Sequence, residues 1–276
     1  MALALVSLVV TLQASEPPVP LSGRTGAVAP AVRAAAATVD LTQDEGGPEL
    51  PVPLKDAAPA HALGLIASTA RGYTSAVVRV VSDLPGSTPG QPVVALTFDD
   101  GPDPRVTPAV LAVLAGRGVP ATFFMAGRMA AAHPELVREV AAAGHGVGGH
   151  TWNHIDLRTL PDAGYEPEVD RTDQLLAGLS GQDIRCVRPP RGATTMRVAA
   201  LLAGRGLSTM LWSVDPTDWS RPGAGEIVRR TLSAVRPGSI ILLHDAGGDR
   251  SQTVAALPAI LDGLRDRGLT PVTLCH

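Results

Sequence analysis

Large aromatic side chains are scarce in this 276-residue chain: three Phe, three Trp and two Tyr amount to 3% of it. Only Tyr73 lies before residue 90; the other seven fall between Phe98 and Trp219. Six of the seven histidines also follow residue 90, His61 being the exception. The first third therefore lacks the side chains that build a packed core. A single folded domain is expected behind an extension that folds poorly.

Excess charge is lacking too. The 23 basic and 26 acidic residues leave a net charge of −3, with a pI near 6.1. That excludes the electrostatic footprint of a nucleic-acid binder. The single lysine, Lys55, reads as genomic composition bias. Cysteine is limited to Cys186 and Cys275, too few for a disulfide framework. One bridge is open to an exported protein. The two residues fall on strands that need not be neighbours, so the expectation is two unpaired thiols. A bilayer-spanning run is missing at the start. Met1–Leu12 (MALALVSLVVTL) is apolar but falls short of the roughly 18–20 residues required. It resembles the centre of a secretory signal, with Ala14 as the small residue near a cleavage site, although the usual basic start is missing. The alternative is an ordinary buried segment. We read 1–14 as signal-like, 15–91 as a Pro/Ala/Gly-rich linker or extension, and 92–276 as the folded domain. Within the linker, the apolar stretch 60–81 could dock on the domain as a short helix or strand. The expected location is secreted or cell-envelope associated.

After residue 90 the pattern alternates. Short apolar runs at 93–98, 121–125, 146–150, 185–188, 207–214, 239–243 and 270–274 read as strands. Helical spacing at 107–115, 134–143, 166–179, 195–203, 226–235 and 254–265 separates them. This alternation implies an α/β fold with a mostly parallel sheet. About seven strands in some 185 residues are too few for a full eight-fold barrel of roughly 250 residues. A small distorted (β/α) barrel fits best, with an open doubly wound sheet as the second choice.

Ionisable residues gather just after the strands: Asp99 and Asp100, His150 and His154, Arg188, Asp215 and Asp218, then His244 and Asp245. In parallel α/β folds ligands bind at the carboxyl ends of strands. Two histidines four apart suit a divalent ion, although structural histidines with that spacing are as common. Adjacent carboxylates at Asp99–Asp100 repel unless a cation stands beside them. One carboxylate with both histidines would make a three-ligand site open to water, leaving the other carboxylate to take a proton. His244 could protonate a leaving group, and Arg188 could anchor a carboxylate. Asp103 and Asp162 read as turn or cap residues, His133 as a helix start, His145 as a loop residue and His276 as a free terminus.

Five blocks occur in order: Thr97–Pro102 (TFDDGP), His150–His154 (HTWNH), Arg188–Gly192 (RPPRG), Asp215–Trp219 (DPTDW) and Leu242–Asp245 (LLHD). Together they resemble the polysaccharide deacetylases of carbohydrate esterase family four, which carry the NodB homology domain. The resemblance covers about residues 92–275. It implies metal-dependent removal of acetyl groups from N-acetylated amino sugars of peptidoglycan or chitin type. By position it makes Asp99 the general base and His244 the general acid. Arg188 would steady Asp99, and Asp218 would tune the acid. Asp100, His150 and His154 would hold one divalent ion, zinc being expected and other ions tolerated. The backbone N–H of Arg191 would hold the oxyanion, and Trp219 and Leu242 would wall the acetyl-methyl pocket. Arg191 departs from the aromatic usual in the family at that place, which puts the sugar contact in question. An O-deacetylase acting on acetylxylan and a catalytically silent carbohydrate binder are the competing readings. The implied partner is a poly- or oligosaccharide substrate, with no nucleic acid and no stable protein partner.

Overall fold

The computed structural model describes residues 77–78 and 92–275. The signal-like segment, the linker apart from Val77–Val78, and His276 lie outside the described residues.

Strands β1 (Val77–Val78), β2 (Val93–Asp99), β3 (Thr122–Met125), β4 (Gly146–Gly149), β5 (Cys186–Val187), β6 (Ser208–Met210), β7 (Ile240–His244) and β8 (Thr270–Val272) form one sheet. Its order is β1-β6-β5-β4-β3-β2-β7, and the pairings are parallel. The first half of β2 pairs with β8 and the second half with β3. Beyond β6, Val214 bridges to Ile241 of β7, which curls the sheet back on itself. From residue 93 onward the strands number seven, as the alternation predicts, and they make the small distorted barrel rather than an open doubly wound sheet. Within the stretch 60–81, Val77–Val78 docks as a strand on β6.

Period-two alternation sorts the strand side chains into two layers. Leu96 and Phe98 of β2, Phe123 and Met125 of β3, and Ile241 and Leu243 of β7 enter the core shared with the helices. Ala95, Phe124, Cys186, Met210, Ile240 and Leu242 form the inner cluster. Buried on both faces, these strands read as continuous apolar runs. The covering helices are α1 (Thr107–Ala115), α2 (Gly127–Ala132), α3 (Pro134–Ala142), α4 (Arg171–Ser180), α5 (Met196–Ala203), α6 (Ala224–Ala234) and α7 (Ser251–Asp266). Their punctuation is legible: proline opens α1 and α3, the Thr195 hydroxyl accepts from the Val198 N–H to cap α5, and α4 ends at left-handed Gly181. Helix α2 was not anticipated. The expected helix 166–179 begins instead as a π-turn, Glu166–Asp170.

The cysteines correct an expectation. Cys186 and Cys275 form a disulfide, with Cα atoms 5.5 Å apart. They are 89 residues apart in sequence, Cys186 on β5 and Cys275 just beyond β8, two strands that are not paired. After β8, however, the chain turns inward: the Leu274 N–H donates to Thr122 Oγ1 at 2.8 Å, and Leu274 and Cys275 join Cys186 in the inner cluster. Curling of the sheet supplies a neighbour that linear strand order hides.

Candidate active site

Alternation along the strands also places the polar residues. On β2, Thr97 and Asp99 share the inward face of Ala95; on β7, His244 shares that of Ile240 and Leu242. Asp99 and His244 are register partners on adjacent strands. Arg188 follows Cys186 by two residues, and His150 follows Gly148, the register partner of inward Phe124. Gly148 is needed there, because a Cβ would lie 2.7 Å from the Phe124 ring.

Consecutive strand residues point to opposite faces, so Asp99 and Asp100 could not both face the site in regular β structure. Asp100 leaves the strand with φ 77°, a left-handed conformation that Asp tolerates. Its Oδ1 then lies 3.4 Å from His150 Nε2 and 3.2 Å from His154 Nε2. Asp99 Oδ2 is 3.9 Å from the same His150 nitrogen. Thr151, His154, Arg191 and Thr217 also have positive φ, between 55° and 60°. Such strain collects where surrounding structure holds a functional geometry.

One donor atom from each of Asp100, His150 and His154 lies within 4.8 Å of the others. The buried Oδ1 of Asp100 receives no hydrogen bond. His150 Nδ1 donates to the Arg188 carbonyl at 2.7 Å, so its Nε2 lone pair points to the carboxylates. An orphaned carboxylate oxygen facing two imidazole nitrogens fits a divalent cation. Burial opposes ionisation of Asp100, yet His150 and His154 hold its carboxyl well below the usual range. Burial likewise opposes charge on His150, but Asp99 and Asp100 outweigh it and raise the ring's pKa.

Arg188 is fully buried over the Phe124 ring. Its Nη1 donates to Asp99 Oδ1 at 2.7 Å and to Thr97 Oγ1 at 2.8 Å, and its Nη2 to the Leu211 carbonyl at 3.0 Å. The second oxygen of Asp99 stays turned toward His150. At the other side, Asp218 Oδ1 accepts from His244 Nδ1 at 2.7 Å. Asp218 Oδ2 accepts from the His244 N–H at 2.9 Å and from Thr253 Oγ1 at 2.8 Å. Burial lowers the His244 pKa by itself; the Asp218 hydrogen bond and charge, with Asp99 and Asp100, override it and raise it to about 9.

The structure thus brings together Asp99, Asp100, His150, His154, Arg188, His244 and Asp218. Leu242 lies buried one step below His244 on the same face, and Trp219 is 54% exposed beside Asp218. Arg191 is exposed in the turn after Arg188; the next residue, Gly192, has φ 65° and packs on Trp212, where a Cβ would approach to 2.7 Å. Asp103 Oδ1 accepts from the Arg105 and Val106 amides in the turn before α1, and buried His145 accepts the Ala121 N–H at 3.2 Å, so both are structural.

Two residues take supporting roles that the sequence did not assign, Glu168 and Asp245. Glu168, buried in the π-turn, accepts from the Asn153 N–H at 2.9 Å and from Asn153 Nδ2 at 2.6 Å, clamping the loop between the two histidines. Buried Asp245 accepts from Thr107 Oγ1 at 2.6 Å and fills the space above Gly101, where a Cβ would come within 2.4 Å of its oxygens. A π-turn at a functional loop is a known association, but no spacing in the sequence marks it.

Residues 86–210 match the sequence profile of the family described as polysaccharide deacetylase. A chitooligosaccharide deacetylase of Sinorhizobium fredii is 45% identical over 196 residues, covering 67% of this chain and 91% of the relative. The chain belongs to the polysaccharide deacetylase family. A second member of the family, a peptidoglycan-N-acetylglucosamine deacetylase of Bacillus cereus, is 40% identical over 184 residues, covering 66% of this chain and 86% of the relative.

 A crystal structure of a peptidoglycan N-acetylglucosamine deacetylase aligns with a TM-score of 0.68 at 32% identity, covering 72% of this chain and 91% of that one. Like those members, the chain is a hydrolase acting on carbon–nitrogen bonds.

Proposed function

We propose that this deacetylase removes acetyl groups from N-acetylated amino sugars of a peptidoglycan- or chitin-type polysaccharide, releasing acetate. One observation carries the reading: Asp99 and His244 are register partners beside the Asp100, His150 and His154 donors. A proton acceptor, a proton donor and a cation site therefore share one end of the barrel.

A divalent ion held by Asp100, His150 and His154, zinc being the ion that this donor set suits, would supply Lewis-acid polarisation of the acetyl carbonyl and of water. Asp99, fixed by Arg188, takes the proton of the attacking water. His244, kept protonated by Asp218, gives its proton to the leaving amine. The Arg191 N–H holds the oxyanion, and Trp219 and Leu242 bound the methyl group. Secretion or attachment to the cell envelope is consistent with the apolar Met1–Leu12 run and with a Cys186–Cys275 bridge, which persists in oxidising compartments.

The test is acetate release from chitooligosaccharide, peptidoglycan and acetylxylan in parallel, with and without a chelator. We expect release from an N-acetyl substrate, lost with chelator and restored by zinc. Release from acetylxylan alone, or from none, would overturn the reading.

A further inference from the structure

Beside the metal donors lies a cavity of about 440 Å³ lined by Asp100, His154, Arg128, Met129 and Gly247–Gly248. The backbone of Arg128 is firmly held at its edge. Three successive amides tie its segment to both ligand loops: Ala126 N–H to the Gly101 carbonyl at 3.0 Å, Gly127 N–H to Thr151 at 2.9 Å, and Arg128 N–H to Trp152 at 3.1 Å. Gly127 allows this approach, since a Cβ would meet the Trp152 ring at 2.5 Å.

Neighbouring guanidinium groups are occupied. Arg188 holds Asp99, Arg171 lies 3.5 Å over the Trp152 ring, and Arg250 donates to the Ala246, Gly247 and Trp219 carbonyls. Asp103, which also lines the cavity, accepts from the Arg105 and Val106 amides and faces the Arg105 side chain. Exposed Arg128 has no side-chain partner among the described residues. A planar, permanently charged fork facing an open cavity suits a carboxylate.

We propose that this cavity is a subsite for a sugar bearing a carboxylate, adjacent to the sugar being deacetylated, and that Arg128 binds that carboxylate. The proposal rests on the deacetylase reading and narrows it to acidic glycans.

The test compares an oligosaccharide alternating N-acetylglucosamine with N-acetylmuramic acid against the same oligosaccharide with its carboxyls converted to amides. Both kcat/KM for acetate release and Kd by calorimetry are measured on wild type, Arg128→Ala, Arg128→Lys and Arg128→Glu. We expect wild type to favour the acid form about five- to tenfold, a preference weakened by high salt. Arg128→Ala should abolish it, Arg128→Lys keep part of it, and Arg128→Glu reverse it. A wild-type ratio near one, or an unchanged ratio in Arg128→Ala, overturns the proposal. If wild type releases acetate from neither form, the deacetylase reading fails, while the binding ratio still decides the subsite.

Discussion

His150 and His244 are the same side chain on one rim, with opposite wiring. His150 gives Nδ1–H to a neutral carbonyl and turns Nε2 toward two carboxylates. His244 gives Nδ1–H to the carboxylate of Asp218. The first arrangement offers a lone pair to a cation; the second stabilises an imidazolium. The partner behind the ring, rather than the ring itself, separates metal ligand from proton donor.

The largest effect should come from breaking the ligand side. His154→Ala should lose bound metal and cut acetate release by about 10³-fold or more, read by elemental analysis and an acetate assay. On the acid side, His244→Ala should retain metal yet lose about 10²–10⁴-fold in kcat. If both variants lost metal alike, the distinction between the two histidines would fall.

Much of this division was legible in the sequence. The strand runs and their alternation place Asp99, Arg188 and His244 on the inner face, because period two is a local property. The turn of Asp100 into the same site was not, since it depends on φ 77°. Glu168 was hidden as well: a helical pattern does not reveal that its first turn is a π-turn aimed at Asn153. The Cys186–Cys275 pairing depends on the sheet curling, which strand order alone does not convey.

Glu168 sharpens the comparison. Glu168→Ala should weaken metal binding about tenfold, as loss of a group supporting a ligand does, with Glu168→Gln recovering part of it; chelator competition reads this. The smallest effect on chemistry should follow Cys186→Ser with Cys275→Ser. That pair should leave kcat within about twofold while lowering stability by about 2–4 kcal/mol, measured by denaturant unfolding.

The most direct measurement is the pH dependence of kcat for Asp218→Asn beside wild type, with bound metal quantified in the same samples. His244 is protonated below its raised pKa of about 9, so wild-type activity should fall as pH rises through that value. Removing the Asp218 charge should move this alkaline limb to lower pH and reduce kcat, with metal content unchanged. An unshifted limb, or loss of the metal, would contradict the assignment of His244 as the acid.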